Sequence, residues 1–364
     1  MAPGQFELRK DPITGWWVAV VVDREFQRSR FRRRADPIWE REGQACANCV
    51  EPGEGVRVRT LKPLAFTVAG TEREARAAGQ DGRGAGSDGR SAEGRTGDGR
   101  AGEARTAGLG LVGDRGSWQT ILAPEGHHGS LHAESPAIVT KMLTRARDII
   151  AAARTEDATE YVQIVQNWGR QAGAMTNHLC LDVYDVPQIP HRIGEELGGA
   201  ARYLIREGVC PFCRLVRDEI SVGERLVHED AWGVAFAPYA SRSPFEVWVV
   251  PRAHDADFGR ATDTQLAAIG ETLRTVLQLL DVLDGPPYNL VLHTAPVRER
   301  VDDTYHWHWE IHPRLREIGG LELGTGLPVN PVCPEEAVAE LMAGARELTG
   351  PSPHRRSRAV WGRP

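Results

Sequence analysis

Tyr288-Asn-Leu-Val-Leu-His-Thr-Ala295, followed by His306-Trp-His-Trp-Glu-Ile-His-Pro-Arg314, repeats an order already met in Tyr161-Val-Gln-Ile-Val-Gln-Asn-Trp168 and His178-Leu-Cys-Leu-Asp-Val183. Each pair alternates with the period of two that belongs to strands. Ahead of each pair stands a helical pattern, around 263–283 in the second case and 136–154 in the first. Apolar residues recur there at helical spacing, as in Leu266, Ile269, Leu273, Val276, Leu277 and Leu280. Further upstream, Phe245-Glu-Val-Trp-Val-Val-Pro251 leads into Pro251-Arg-Ala-His254, and Ser117-Trp-Gln-Thr-Ile-Leu-Ala-Pro124 leads into Pro124-Glu-Gly-His127. A Cys-x-x-Cys pair precedes both, Cys46 with Cys49 and Cys210 with Cys213. His127 and His178 are 51 positions apart, and His254 and His306 are 52 apart. A duplicated α+β architecture is expected, each half an antiparallel sheet with a packed helix.

The expected boundaries are a first repeat over 1–199, a second over 200–349 and a loose, basic tail over 350–364. Between about 70 and 116 the chain turns to Gly, Ala, Arg, Asp and Glu, and Asp-Gly-Arg recurs three times. Too little apolar surface remains there to offset ordering entropy, so a disordered insertion is expected.

The overall composition excludes several classes of function. A hydrophobic fraction of 41% with 26% charged residues is that of a soluble protein, and no apolar run reaches the roughly 18 residues a membrane span needs. A net charge of −6 lacks the basic footprint that binding a nucleic-acid backbone requires. The amino-terminal stretch has no apolar signal core, so a cytoplasmic location is expected. In that compartment paired cysteines point to metal rather than to disulfides.

Zinc is commonly held in a tetrahedron of Cys and His, with one ligand pair from Cys-x-x-Cys. Two such sets are expected, about two zinc ions per chain: Cys46, Cys49, His127 and His178, and Cys210, Cys213, His254 and His306. Strand alternation sends His306, His308, Glu310 and His312 to one face and Trp307, Trp309 and Ile311 to the other. His308 is therefore the candidate nucleophile or general base, with Glu310 to orient it.

These motifs resemble those of the galactose-1-phosphate uridylyltransferase family of the histidine-triad superfamily, including its nucleotide-sugar phosphorylase relatives. The resemblance runs through Asp11-Pro-Ile-Thr-Gly15, both Cys-x-x-Cys pairs, Pro-x-x-His, Ala172-Gly-Ala-x-x-x-His178, the strand 306–314, and Leu321-Glu-Leu-Gly-Thr-Gly326. It implies a duplicated histidine-triad-like fold and a nucleotide-sugar or sugar phosphate as partner. It also implies exchange through a nucleotidyl-enzyme intermediate, and a homodimer. Asn167 and Gly173 match positions the family retains, and Arg314 is assigned a phosphate contact. Family members carry His-Pro-His-x-Gln where this chain has His178-Leu-Cys180-Leu-Asp182, so cysteine stands at the nucleophile position. Three readings follow. Cys180 attacks; or the second half reacts through His308 and Glu310; or the chain is a zinc-stabilised nucleotide- or sugar-phosphate-binding protein without transfer.

Overall fold

In the computed structural model, which describes residues 5–22, 33, 35, 55–63, 67–68, 110–111, 116–127, 129–156 and 159–349, the alternating segments become strands. They are β1 (Gln5–Lys10), β2 (Trp17–Val22), β3 (Arg57–Pro63), β4 (Thr67–Val68), β5 (Gly110–Leu111), β6 (Ser117–His127), β7 (Tyr161–Trp168) and β8 (His178–Val186). After them come β9 (Leu226–Glu229), β10 (Gly233–Phe236), β11 (Val247–Pro251), β12 (Tyr288–His293), β13 (His308–Pro313) and β14 (Val329–Asn330). The helices are α1 (Pro136–Ala153), α2 (His191–Glu207), α3 (Pro211–Val222), α4 (Asp263–Leu279), α5 (Gly320–Thr325) and α6 (Pro334–Thr349).

Nine strands form one antiparallel sheet in the order β3-β6-β8-β7-β12-β13-β11-β10-β9. The α+β class expected from the pattern is therefore found. The expected junction between residues 199 and 200 falls inside α2, and β7 pairs directly with β12 across the middle of the sheet. A hydrogen-bonded helix thus spans that junction. Most of the stretch 70–116 and all of 350–364 lie outside the described residues; Gly110–Leu111, expected within the insertion, pair as a strand with Thr67–Val68.

One face of the sheet carries the core. Ile121, Leu181, Ile164, Leu290, Ile311 and Val249 pack there against α1, α4 and α6. Trp307 and Trp309 point into the same layer, each edge-on to Phe258. Burial of side chains of this size contributes about 1.5–3 kcal/mol each, which fixes the register: a one-residue slip would turn the whole set to the opposite face. Both long core helices begin at built caps. Ser135 accepts from Ile138 N with Pro136 at the first helical position, and Thr262 with Gln265 forms a capping box.

On the opposite face, α2 and α3 cover only the second-half strands, where Phe212, Val216, Phe236, Trp248 and Val250 form a smaller core. The Asp11–Gly15 motif is a turn whose Asp11 carboxylate accepts from Ile13 N, Thr14 N and Thr14 Oγ1. It lies against α2 at Gly199, where an added Cβ would sit 1.9 Å from the Ile13 carbonyl oxygen. The polar residues of β7, β12 and β13 collect in the middle of this face, beside the part that α2 and α3 cover.

Candidate functional site

Cys210 caps α3, with Pro211 next, so that one helical turn carries Cys213 back beside it. His254 follows the end of β11 by three residues and His306 precedes β13, its direct neighbour in the sheet. One ligand atom from each of the four lies within 4.8 Å of the others. Cys213 Sγ stands 3.2 Å from His254 Nδ1 and 3.6 Å from His306 Nδ1. A tetrahedral zinc with its usual bond lengths needs ligand atoms roughly 3.3–3.8 Å apart, and these two separations lie near that range. His254 Nε2 lies 2.6 Å from the Asp302 carbonyl oxygen, so its N–H is spent there and Nδ1 is left to bind. The Cys210 thiol, which donates to Cys213, is pushed up; the Cys213 thiol is held far below its usual range by that bond and by His306 and His254. A thiolate on a pre-formed turn is what a metal requires.

The first-half set is reached only in part. Cys46 and Cys49 lie outside the described residues, and of His127 only the backbone is described. That backbone pairs with His178 across β6 and β8, as the two histidines of the set require. His178 Nε2 lies 2.7 Å from the Ala123 carbonyl oxygen, which fixes the ring.

His308 sits differently from its expected role. It is fully buried, with its ring 4.8 Å from that of Trp248, 5.1 Å from Phe212 and 4.9 Å from His293. Burial, then the charge on His293, lowers its pKa to about 4. Its Nδ1 lies 3.0 Å from the His306 carbonyl oxygen, and its Nε2 has no hydrogen-bond partner. Enclosed by the described residues, the ring exposes no surface to an incoming phosphorus atom. With Glu196 and His293 it forms a second compact donor group that could hold a metal ion. His293 is gripped by Glu196 (2.9 Å) and Glu310 (3.2 Å), which hold its pKa up at about 9 against burial.

Glu310 corrects a second expectation. Its closest approach to His308 is 3.9 Å. Its carboxylate is instead held by Arg192 at 3.0 and 3.1 Å, by Arg242 at 2.8 Å and by His312 at 2.9 Å. Burial opposes its charge, but Arg192 and His293 hold it well below the usual carboxylate range. Glu310 is the hub of a charged network, and the residue it orients is His312.

In the first half, Cys180 is a buried thiol, and Asp182 accepts from Trp118 Nε1 (3.3 Å) and Thr120 Oγ1 (3.1 Å), with burial raising its pKa. Asp182 and Glu310 share one cross-strand row, separated by Val165 and Val291. The next row holds Asn167, Asn289 and His312. Asn289 Nδ2 donates to Asn167 Oδ1 at 2.7 Å and to the Ala172 carbonyl at 2.8 Å, which fixes the Asn167 amide. Gly173, left-handed at φ 82°, ends the short turn after β7, and the space beside it is open.

A cavity of about 520 Å³ opens over the second-half members of these rows, Val291 and Glu310 in one and Asn289 and His312 in the next. Arg242, Ser243, Asn289, His293, His312 and Arg314 are among its walls. Arg192, Arg242 and Arg316 are each paired with a carboxylate, whereas Arg314 makes no side-chain hydrogen bond or ion pair with any described residue. The cavity thus carries an uncompensated cation, and its volume suits a ligand of nucleotide-sugar size. The sequence singles out Arg314, Asn167 and Glu310 but not Arg192, Arg242, Glu196, His293 and Asn289, which the structure brings beside them. These come from a helix, a loop and a strand with no shared spacing; only the alternation of β12, which puts Asn289 and His293 on one face, hinted at two of them.

No protein-family model matches the chain. An ADP-glucose phosphorylase from Arabidopsis thaliana is 27% identical over 339 residues, which cover 92% of each protein. A galactose-1-phosphate uridylyltransferase from Thermotoga maritima is 27% identical over 240 residues, 62% of this chain and 74% of the relative. Among solved structures, an Arabidopsis thaliana ADP-glucose phosphorylase with bound ADP-glucose superposes with a TM-score of 0.69 at 24% identity, covering 93% of this chain and 98% of that one. A uridylyltransferase mutant gives 0.66 at 25% identity, over 95% and 100%.

Proposed function

We infer that this chain, a divergent member of the galactose-1-phosphate uridylyltransferase-like family of the histidine-triad superfamily, moves a nucleotidyl group between a nucleotide-sugar and a phosphate-bearing acceptor. The observation that carries the inference is the match to an ADP-glucose phosphorylase along 92% of both chains. The cavity agrees with it, being of suitable volume and bearing the unpaired Arg314. Asn167, oriented by Asn289, and Gly173, beside open space, contact the nucleotide-sugar; Arg314 neutralises phosphate.

Zinc at Cys210, Cys213, His254 and His306 would occupy a closed four-ligand site and lock the start of α3 onto the ends of β11 and β13, a structural service. We assign a second zinc to Cys46, Cys49, His127 and His178. The halves are read as a duplication, supported by the sheet order, in which β3-β6-β8-β7 corresponds to β10-β11-β13-β12. A homodimer and a cytoplasmic location complete the reading.

The test is turnover by the full chain of ADP-glucose or UDP-glucose with inorganic phosphate, and of UDP-glucose with galactose 1-phosphate. Release of sugar 1-phosphate or formation of the exchanged nucleotide-sugar is expected. Tight binding with no turnover of any pair would replace this reading by the binding-protein one, which the loss of histidine at position 180 favours.

A further inference from the structure

We propose that His312 is the nucleophile that takes up the nucleotidyl group, an assignment that rests on the transfer reading above. An attacking imidazole needs one nitrogen held by an acceptor and the other bare toward the substrate. Of the two histidines on the cavity wall, His293 has both nitrogens committed, to Glu196 and Glu310. His312 has one. Its Nε2 lies 2.9 Å from Glu310 Oε2 and 3.4 Å from Arg242 Nη2; the shorter contact to the carboxylate takes the N–H and leaves the lone pair on Nδ1. Among the described residues the one hydrogen-bond contact of Nδ1 is the Ser243 hydroxyl at 3.4 Å, long enough to be exchanged for substrate. The nearest carboxylate, Glu246 at 3.9 Å, is already occupied by Arg242 N, Ser243 N and Trp248 Nε1.

The surroundings suit an anionic phosphorus centre. Glu246 and Glu310 are matched by Arg192 and Arg242, so Arg314 leaves the site one positive charge in excess. With two guanidinium groups already on its carboxylates, the Glu246, Glu310 and His312 group is a poor place for a metal cation. His312 also shares its cross-strand row with Asn167, two strands away. At about 4.8 Å per strand the two are roughly 10 Å apart, a span one nucleotide-sugar covers.

In the step, Nδ1 forms a bond to the phosphorus that carries the nucleoside, and the bond from that phosphorus to the bridging oxygen breaks. The sugar phosphate leaves as an anion beside Arg314. The Nε2 proton stays on the ring against Glu310, which balances the imidazolium charge of the adduct. An oxygen of the acceptor phosphate then attacks the same phosphorus, and the N–P bond breaks to return neutral imidazole.

Full-length protein incubated with adenine-labelled ADP-glucose, and in parallel with uracil-labelled UDP-glucose, is digested at high pH and mapped by mass spectrometry. A nucleotidyl mass on the peptide containing His312, stable in base and lost in acid, is expected. It should vanish in His312→Asn and persist in Cys180→Ser. His312→Gly should lose at least about a thousandfold in turnover and recover activity with added imidazole, which a residue of purely structural role would not show. A label on Cys180 or His308, or exchange without any adduct, overturns the assignment while leaving the transfer reading standing. If the wild type neither labels nor turns over any substrate, both fall.

Discussion

Arg192 Nη2 reaches both carboxylate oxygens of Glu310, at 3.0 and 3.1 Å, from a helix that precedes the strand by more than a hundred residues. Glu310 is buried and retains Arg242 and His312 when this contact is cut. Arg192→Met should therefore destabilise the fold by about 2–3 kcal/mol. Glu310→Gln, which leaves Arg192 with Glu196 alone and Arg242 with Glu246 alone and removes the carboxylate from His293 and His312, should cost about 3–5 kcal/mol. Chemical denaturation of both variants checks the order; equal and negligible losses would show that the network adds nothing to stability.

Asn289 acts on the site through Asn167. Removing its amide in Asn289→Ala frees Asn167 to rotate, so KM for the nucleotide-sugar should rise about tenfold, the equivalent of about 1.4 kcal/mol or one hydrogen bond, with kcat little changed. Steady-state kinetics separate the two parameters. An unchanged KM would remove Asn289 from the site.

Metal content should follow the thiols. Cys213→Ser should lower bound zinc by about one equivalent per chain, measured by elemental analysis, and Cys49→Ser should lower it by another. Chelation should depress the melting temperature of the wild type and have less effect on Cys213→Ser. Wild-type protein purified without zinc would contradict both sets.

Acid should act at a carboxylate outside the cavity lining. Glu335 accepts from Arg9 at 3.0 Å, from Arg225 at 2.8 Å and from the Cys333 thiol at 2.6 Å, joining the β1–β2 hairpin to α6. Burial opposes its charge, but Cys333 and Arg225, with Arg9 beside it, hold its pKa at about 2 against an ordinary 4.5. A depressed carboxyl pKa means stability present above about 4.5 and lost as pH falls toward 2. Melting temperatures measured across that window should drop more steeply for wild type than for Glu335→Gln.

Gly199 is a packing requirement. A methyl group there would meet the Ile13 carbonyl at 1.9 Å, so Gly199→Ala should cost about 3 kcal/mol by pushing the Asp11–Gly15 turn off α2. A fully stable variant would show that the turn gives way freely.

Strand alternation and the repeated spacing determined much of this protein without coordinates. Trp307, Trp309 and Ile311 had to face one way and His306, His308, Glu310 and His312 the other, because side chains on a strand alternate. The quartet Cys210, Cys213, His254 and His306 was legible for the same reason, since its members recur at matched intervals in both halves. What lay beyond the sequence was which polar neighbour each of these residues would meet. His308 and His312 share a face of one strand, yet α3 and Trp248 wall in the first, and the cavity opens on the second. Alternation makes Glu310 the neighbour of His308, but the approach of Arg192, Arg242 and His293 turns it to His312 instead. Periodicity is a local property of the backbone and is written along the chain. The pairing of buried charges is set by elements distant in sequence, and only their packing decides it.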